Sequence, residues 1–358
     1  MSCRCLAAAL PVQLPARSQW QELSRHVRRH GLAPLAYVRT VHETPELAAF
    51  WRADLEEAVG RHLRTRVVLK ELSDLFGAAE VAWVVLKGPV LSEHAHPVSG
   101  VRPYVDLDLL VGPAQFEGAV RLLCDNDWTM LDRNHRHLLA QFPGEVHLLS
   151  PSGVQVDLHW SLINMSTTRS AFTIASGPLL ARRRFVQVGS HGVPALCATD
   201  MLLHTCLHAA LTGADRLLLL LDVHEQVHRS QPRWNDVAQR AHEWGAGPAT
   251  ATVLIRSSRT LGTPVQRSVL RQLAGLSWRA IVRAADRVSP VERLTGGGSL
   301  ARIVARSSRP TTFRSFAELA TRSRRHVLEP GPIESTATVT HDPQALRAYF
   351  ERVARQED

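Results

Sequence analysis

Lysine is almost missing from this 358-residue chain: of 42 basic residues only Lys70 and Lys87 are lysine, and the rest are arginine. A bias that strong fits a GC-rich coding sequence, so part of the formal net charge of +9 is compositional and does not by itself announce an anionic partner. Cysteine is sparse as well. Cys3, Cys5, Cys124, Cys197 and Cys206 are odd in number and scattered, which argues against a disulfide framework and fits reduced thiols in a cytosolic protein. Long apolar runs are lacking: no segment approaches the about 20 consecutive apolar residues that a membrane span needs. The N-terminal "MSCRCLAAALPVQLPA" imitates a signal peptide only faintly, because Pro11 breaks its short apolar run. The expectation is a cytoplasmic chain with no membrane partner.

What is present is enough apolar side chain, 45% of residues, to bury a sizeable core, and the length suits two domains. Charge is unevenly spread. Residues 256 to 325 hold 15 arginines against Asp286, Glu292 and Glu318, a net of +12, so the remainder of the chain sums to −3. Any contact with a polyanion such as RNA is therefore expected in that third.

Apolar residues recur at helical spacing from Gln19 to about Gly77, giving a helical lead-in over 1–77. "VAWVVLKG" (81–88) reads as a strand buried on both faces that stops at a Gly-Pro break. Pro113 opens the helix "PAQFEGAVRLLCDND", and "EVHLLSPSGVQVDLHW" (145–160) reads as a β-hairpin turning at Pro151, Ser152 and Gly153. These elements make a small α/β core over 78–165. The segment to about residue 190 has no clear pattern. Helical rhythm returns in "MLLHTCLHAALTG", "ADRLLLLLDVHEQVHR" and "WNDVAQRAHEWG", giving a helical domain over 166–294. Residues 295–358 read as an Arg-rich hinge, with "TGGGS" and "RSSRPTT", followed by the amphipathic helix "DPQALRAYFERVARQ". There is no internal repeat.

The stretch "RPYVDLDLLV" (102–111) sets Asp106 and Asp108 into text that otherwise reads as a core strand. Side chains alternate along a strand, so the two carboxylates project together, about 7 Å apart, while Leu107 and Leu109 point the other way. Two like charges buried without partners are costly. A divalent cation removes the cost, and Mg²⁺ takes carboxylate oxygens together with substrate phosphates. A third acid, Asp157, lies in "VQVDLHW", again flanked by apolar residues. Three carboxylates in β-text point to metal-dependent phosphoryl transfer rather than to a solvated edge strand. Lys87, ending the preceding strand, is placed to put a compact charge on an outer phosphate, or else merely snorkels from the strand end. Arg102 either clamps phosphate or neutralises the carboxylates.

The set "VVLKG", "RPYVDLDLLV" and "VDLHW", followed by "LCATDMLLHTCLHAAL", "LLDVHEQV" and "WNDVAQRAHEWG", resembles the uncharacterised nucleotidyltransferase family of the DNA polymerase beta-type superfamily, from about residue 20 to about residue 265. The resemblance implies an α/β (α+β) fold: a minimal nucleotidyltransferase mixed sheet with flanking helices, plus a helical C-terminal domain. It places Asp106 and Asp108 on the metal pair, Asp157 on the third carboxylate, and Gly88 on the glycine beside the triphosphate. The spacing departs from the superfamily's pattern, since Gly88 is followed by Pro89 and lies well ahead of Asp106. The activity implied uses two Mg²⁺ ions and moves a nucleoside monophosphate from an NTP to a small-molecule or peptide acceptor. A tRNA-directed transferase is the alternative within enzymes. A non-catalytic nucleotide- or RNA-binding module is the alternative outside them.

Histidines offer further candidates. His204 and His208 share a helix face but lack an adjacent acid and an evident third ligand. His94 and His96 precede the aspartates, and His159 shares the face of Asp157. Asp222, after five leucines, is expected to make a packing salt bridge or to link the helical domain to the nucleotide site.

Overall fold

The computed structural model describes residues 14–291, 299–310 and 341–356. The chain divides into two units, each assembled from separated stretches. Among the described residues, one comprises 63–90, 104–197 and 341–356 and holds the sheet; the other comprises 14–62, 91–103, 198–291 and 299–310. The consecutive segments suggested by sequence are thus interleaved. Residues 166–197 and the end of the lead-in from residue 63 go with the sheet, while the lead-in up to residue 62 goes with the later helices.

Seven strands form the sheet: β1 (Trp83–Val85), β2 (Leu107–Val111), β3 (Thr129–Met130), β4 (Glu145–Leu149), β5 (Gln155–His159), β6 (Arg184–Val188) and β7 (His191–Ala195). Their order across the sheet is β3-β4-β5-β2-β1-β7-β6. It is mixed: β2 pairs parallel with β5 and β1 with β7, while the other neighbours are antiparallel. The central strand β2 is buried throughout. Helices Pro113–Cys124 and Ser176–Ala181 pack against it. Burying each leucine of β2 contributes about 1.5–3 kcal/mol. The hairpin expected over 145–160 is β4–β5, closed by Ser150, whose Oγ accepts the Val154 N–H at 2.9 Å. The β6–β7 hairpin lies in the segment that carries no clear pattern in the sequence. Arg184, Phe185 and Gln187 of β6 are exposed, and Pro194 sits inside β7, so neither strand has an apolar alternation.

The helix Pro343–Ala354 also belongs to this unit. Asp342 caps it by accepting the Ala345 N–H at 3.0 Å, and the Tyr349 hydroxyl donates to the Pro143 carbonyl at 3.1 Å.

The other unit is helical among its described residues. Helices Ala198–Thr212, Leu217–Ser230 and Gly247–Leu261 form its centre, with Trp234–Glu243, Arg267–Leu273, Leu276–Val288 and Leu300–Arg306 packed against them or each other. The last of these replaces part of the hinge expected from residue 295, capped by Ser299, whose Oγ accepts the Arg302 N–H at 3.3 Å. Arg256 is wholly buried here. It pairs with Asp286 at 3.0 Å and donates to the carbonyls of Gly213, Ala214 and Ala301. Arg302 pairs with Asp215 at 2.8 Å. These arginines of the basic third serve the interior of their own unit. Arg293, Arg314, Arg322, Arg324 and Arg325 lie outside the described residues. No helix among the described residues is long and apolar enough to cross a membrane.

Candidate active site

Strand pairing brings the candidate acids together. β2 and β5 run parallel with Asp108 opposite Asp157, so their carboxylates project from one face of neighbouring strands. Asp106 stands at the bend just before β2 rather than inside it. The Leu86 N–H donates to the Asp108 carbonyl at 3.0 Å, which carries the β1 chain alongside β2 for one more residue. Lys87 follows directly, and its Nζ lies 3.1 Å from Asp108 Oδ2. Gly88 then turns the chain with φ of +57°, a conformation that disfavours a side chain, and Pro89 starts the helix Pro89–His94.

His159 shapes the cluster from β5. Its Nε2 is 3.3 Å from Asp108 Oδ1 and its Nδ1 is 2.9 Å from Glu145 Oε2. Sequence put it near Asp157; the structure puts it between two other carboxylates. Burial disfavours the imidazolium, but Glu145 and Asp108 outweigh burial and push the His159 pKa up to about 10. The two carboxylates thus favour its imidazolium form. Asp106 goes the other way. Burial, then the neighbouring Asp108, push its pKa up to about 6 against the pull of Lys87. Asp157 is raised too, by burial first, against its contacts with Gln155 and His147. The cluster thus holds more negative charge than Lys87 and His159 comfortably offset, the condition under which hard oxygen donors take up a divalent cation.

The strand register also exposes residues that sequence reasoning did not single out. On β4, Glu145 lies opposite His159 and His147 opposite Asp157. Glu145, His147 and Asp157 bring one metal-capable atom each within 4.8 Å of the others. A signal was present. Once the turn is placed at 151–153, antiparallel pairing forces "EVH" to face "DLH". Asp132 supports His147, with both carboxylate oxygens 3.1 Å from Nδ1. That contact first, opposed by burial, pushes the His147 pKa up to about 9.

Arg102 and His96 are placed elsewhere. Both belong to the helical unit, where Arg102 makes a bidentate pair with Asp222 at 2.7 and 2.8 Å and His96 Nε2 meets Asp222 Oδ1 at 2.8 Å. The phosphate-clamping and carboxylate-neutralising roles suggested for Arg102 thus meet a guanidinium already committed to a buried partner, because a buried carboxylate demands an opposite charge. Asp222 makes the packing salt bridge expected of it. His94 is exposed. His204 and His208 lie with ring centroids 6.3 Å apart, and no set of three metal-capable groups among the described residues includes them.

The family model described as an uncharacterised nucleotidyltransferase matches residues 16–262, a range that contains Lys87, Asp106, Asp108 and Asp157. No curated protein matches the chain. A match over so much of the sequence, on a mixed sheet with flanking helices, means that this chain belongs to the uncharacterised nucleotidyltransferase family.

Proposed function

We propose that the chain transfers a nucleoside monophosphate from an NTP to a small-molecule or peptide acceptor, releasing pyrophosphate, with Asp106, Asp108 and Asp157 holding Mg²⁺. The observation that carries this reading is the pairing of Asp108 with Asp157 on adjacent parallel strands, with Asp106 two residues upstream. The donor set suits the ion: all carboxylate oxygen, partly buried, and short of positive charge around Asp106. Mg²⁺ supplies neutralisation of the phosphates and of the charge that builds up during displacement.

The protein's own groups do the rest. The acceptor oxygen attacks the α-phosphorus, the bond to the bridging oxygen breaks, and pyrophosphate leaves. Asp157, on the strand beside Asp108, takes the acceptor's proton. Lys87 offers its ammonium to the outer phosphates, and the turn at Gly88 directs the backbone toward them. His159 anchors Asp108 through its ring nitrogen and so fixes the orientation of that carboxylate. Positioning and charge account for catalysis of this kind, so few further side chains are needed. A small acceptor is favoured over RNA because Arg256 and Arg302, within the basic third, are spent on internal partners.

The test is to incubate the protein with each α-labelled NTP, Mg²⁺ and a cell extract, and to follow label and pyrophosphate. Label should appear in an acceptor with wild type and not with Asp106→Asn. Equal turnover in that variant would remove Asp106 from the site.

A further inference from the structure

Glu145, His147 and Asp157 project from one face of the β4–β5 hairpin, and their composition differs from that of the three aspartates. An imidazole flanked by two carboxylates is a poor cage for Mg²⁺, which favours oxygen, and a good one for zinc. Two geometric features separate this set from a chance cluster of charges. The first is the orientation of His147. Asp132 accepts its backbone N–H at 2.6 Å and lies 3.1 Å from Nδ1, so Nδ1 carries the hydrogen and Nε2 is turned toward Glu145. A carboxylate holding the remote nitrogen is the usual support of a metal-bound histidine. The second is a separation. His147 Nε2 lies 3.6 Å from Glu145 Oε1, too far for a charge-assisted hydrogen bond of about 2.7–2.9 Å. Two ligand atoms about 2.0–2.1 Å from one tetrahedral zinc ion stand roughly 3.4 Å apart.

The other two ligands are braced as well. Gln155 donates to Asp157 at 3.1 Å, Asn164 donates to Glu145, and His159 Nδ1 lies 2.9 Å from the other Glu145 oxygen. We infer that Glu145, His147 and Asp157 form a zinc-binding site, with a fourth position left for water or a substrate atom. Three protein ligands and one exchangeable position is the arrangement of catalytic rather than purely structural zinc. The site extends beyond the transfer reading, sharing Asp157 with it as a ligand and touching it through His159, which stands between Glu145 and Asp108.

The test uses full-length, untagged protein stripped with chelator and titrated calorimetrically with Zn²⁺ in excess Mg²⁺. One tight equivalent is expected in wild type, lost in His147→Gln and Glu145→Gln. Asp132→Asn, which touches no ion, should weaken binding about 10- to 100-fold. Zinc-edge absorption of the wild-type protein requires no variant to fold and should show one imidazole with oxygen ligands. Absence of stoichiometric binding, undiminished affinity in His147→Gln, or a shell of two or more imidazoles would overturn the site. Asp106→Asn separates the two readings. It should stop transfer yet bind zinc as wild type does, so failure of either reading is seen independently of the other.

Discussion

At Asp106, burial and the adjacent Asp108 push the pKa up to about 6, which means that the ionised pair is held against its own repulsion. Asp106→Asn should therefore leave the metal-free fold as stable as wild type, or raise its stability by about 1 kcal/mol near pH 7, while abolishing transfer. Thermal unfolding in chelator, beside a pyrophosphate assay, checks both halves. A clear loss of stability would mean that the Asp106 carboxylate has a structural partner. Lys87 is the complementary case. If its ammonium holds the outer phosphates in ground and transition states alike, Lys87→Ala should raise the KM for NTP more than it lowers kcat. A loss confined to kcat would instead assign it to the leaving pyrophosphate, and no effect on either would leave only its 3.1 Å contact with Asp108.

Among the elements, the segment of residues 91–103 depends on one carboxylate of the helix Leu217–Ser230. Asp222 is buried and would be raised by burial alone, but Arg102 and the hydrogen bond from His96 hold its pKa down at about 2. Burial keeps His96 itself below its ordinary value, against the pull of Asp222. Asp222→Asn leaves the Arg102 guanidinium buried without its counter-charge and should cost about 3–5 kcal/mol in urea unfolding. The pH dependence follows from the depressed value. Stability from ionised Asp222 is fully present above the unfolded carboxylate pKa near 3.8 and is lost as pH falls toward 2. The gap between wild type and Asp222→Asn should narrow over that window, by on the order of 2 kcal/mol. A gap independent of pH would show that packing, not charge, is what Asp222 contributes.

For the whole molecule, the question raised by a net charge of +9 is whether the basic third is an RNA surface. Arg256 is buried and Arg302 is paired with Asp215, and the family match ends at residue 262, ahead of most of that third. Weak tRNA binding is expected, unaffected when Arg322, Arg324 and Arg325 are changed together to alanine. Titration at two salt concentrations decides this. Each phosphate neutralised would add roughly −0.7 to −0.9 to the log–log salt slope. A steep slope that the triple change flattens would move the acceptor from a small molecule to RNA.

The sequence alone determined the elements whose chemistry is local. Alternation marked β2 and the β4–β5 hairpin, Pro113 marked a helix start, and two aspartates in apolar text marked the candidate site. Those signals are local because strand period, turn residues and helix caps act over a few neighbours. Tertiary structure decided what depends on long-range pairing. It set Asp108 opposite Asp157, brought Asp132 to His147 across the β3–β4 edge, and turned His159 from Asp157 toward Asp108 and Glu145. It sent Arg102, only four residues before Asp106, to a carboxylate 120 residues away. It also placed β6 and β7, whose exposed faces and internal proline hide them from pattern, on the edge of the sheet beyond β1. The physical reason is the same in each case: charge partners and sheet edges are chosen by which groups burial leaves within reach, and sequence spacing does not encode that distance.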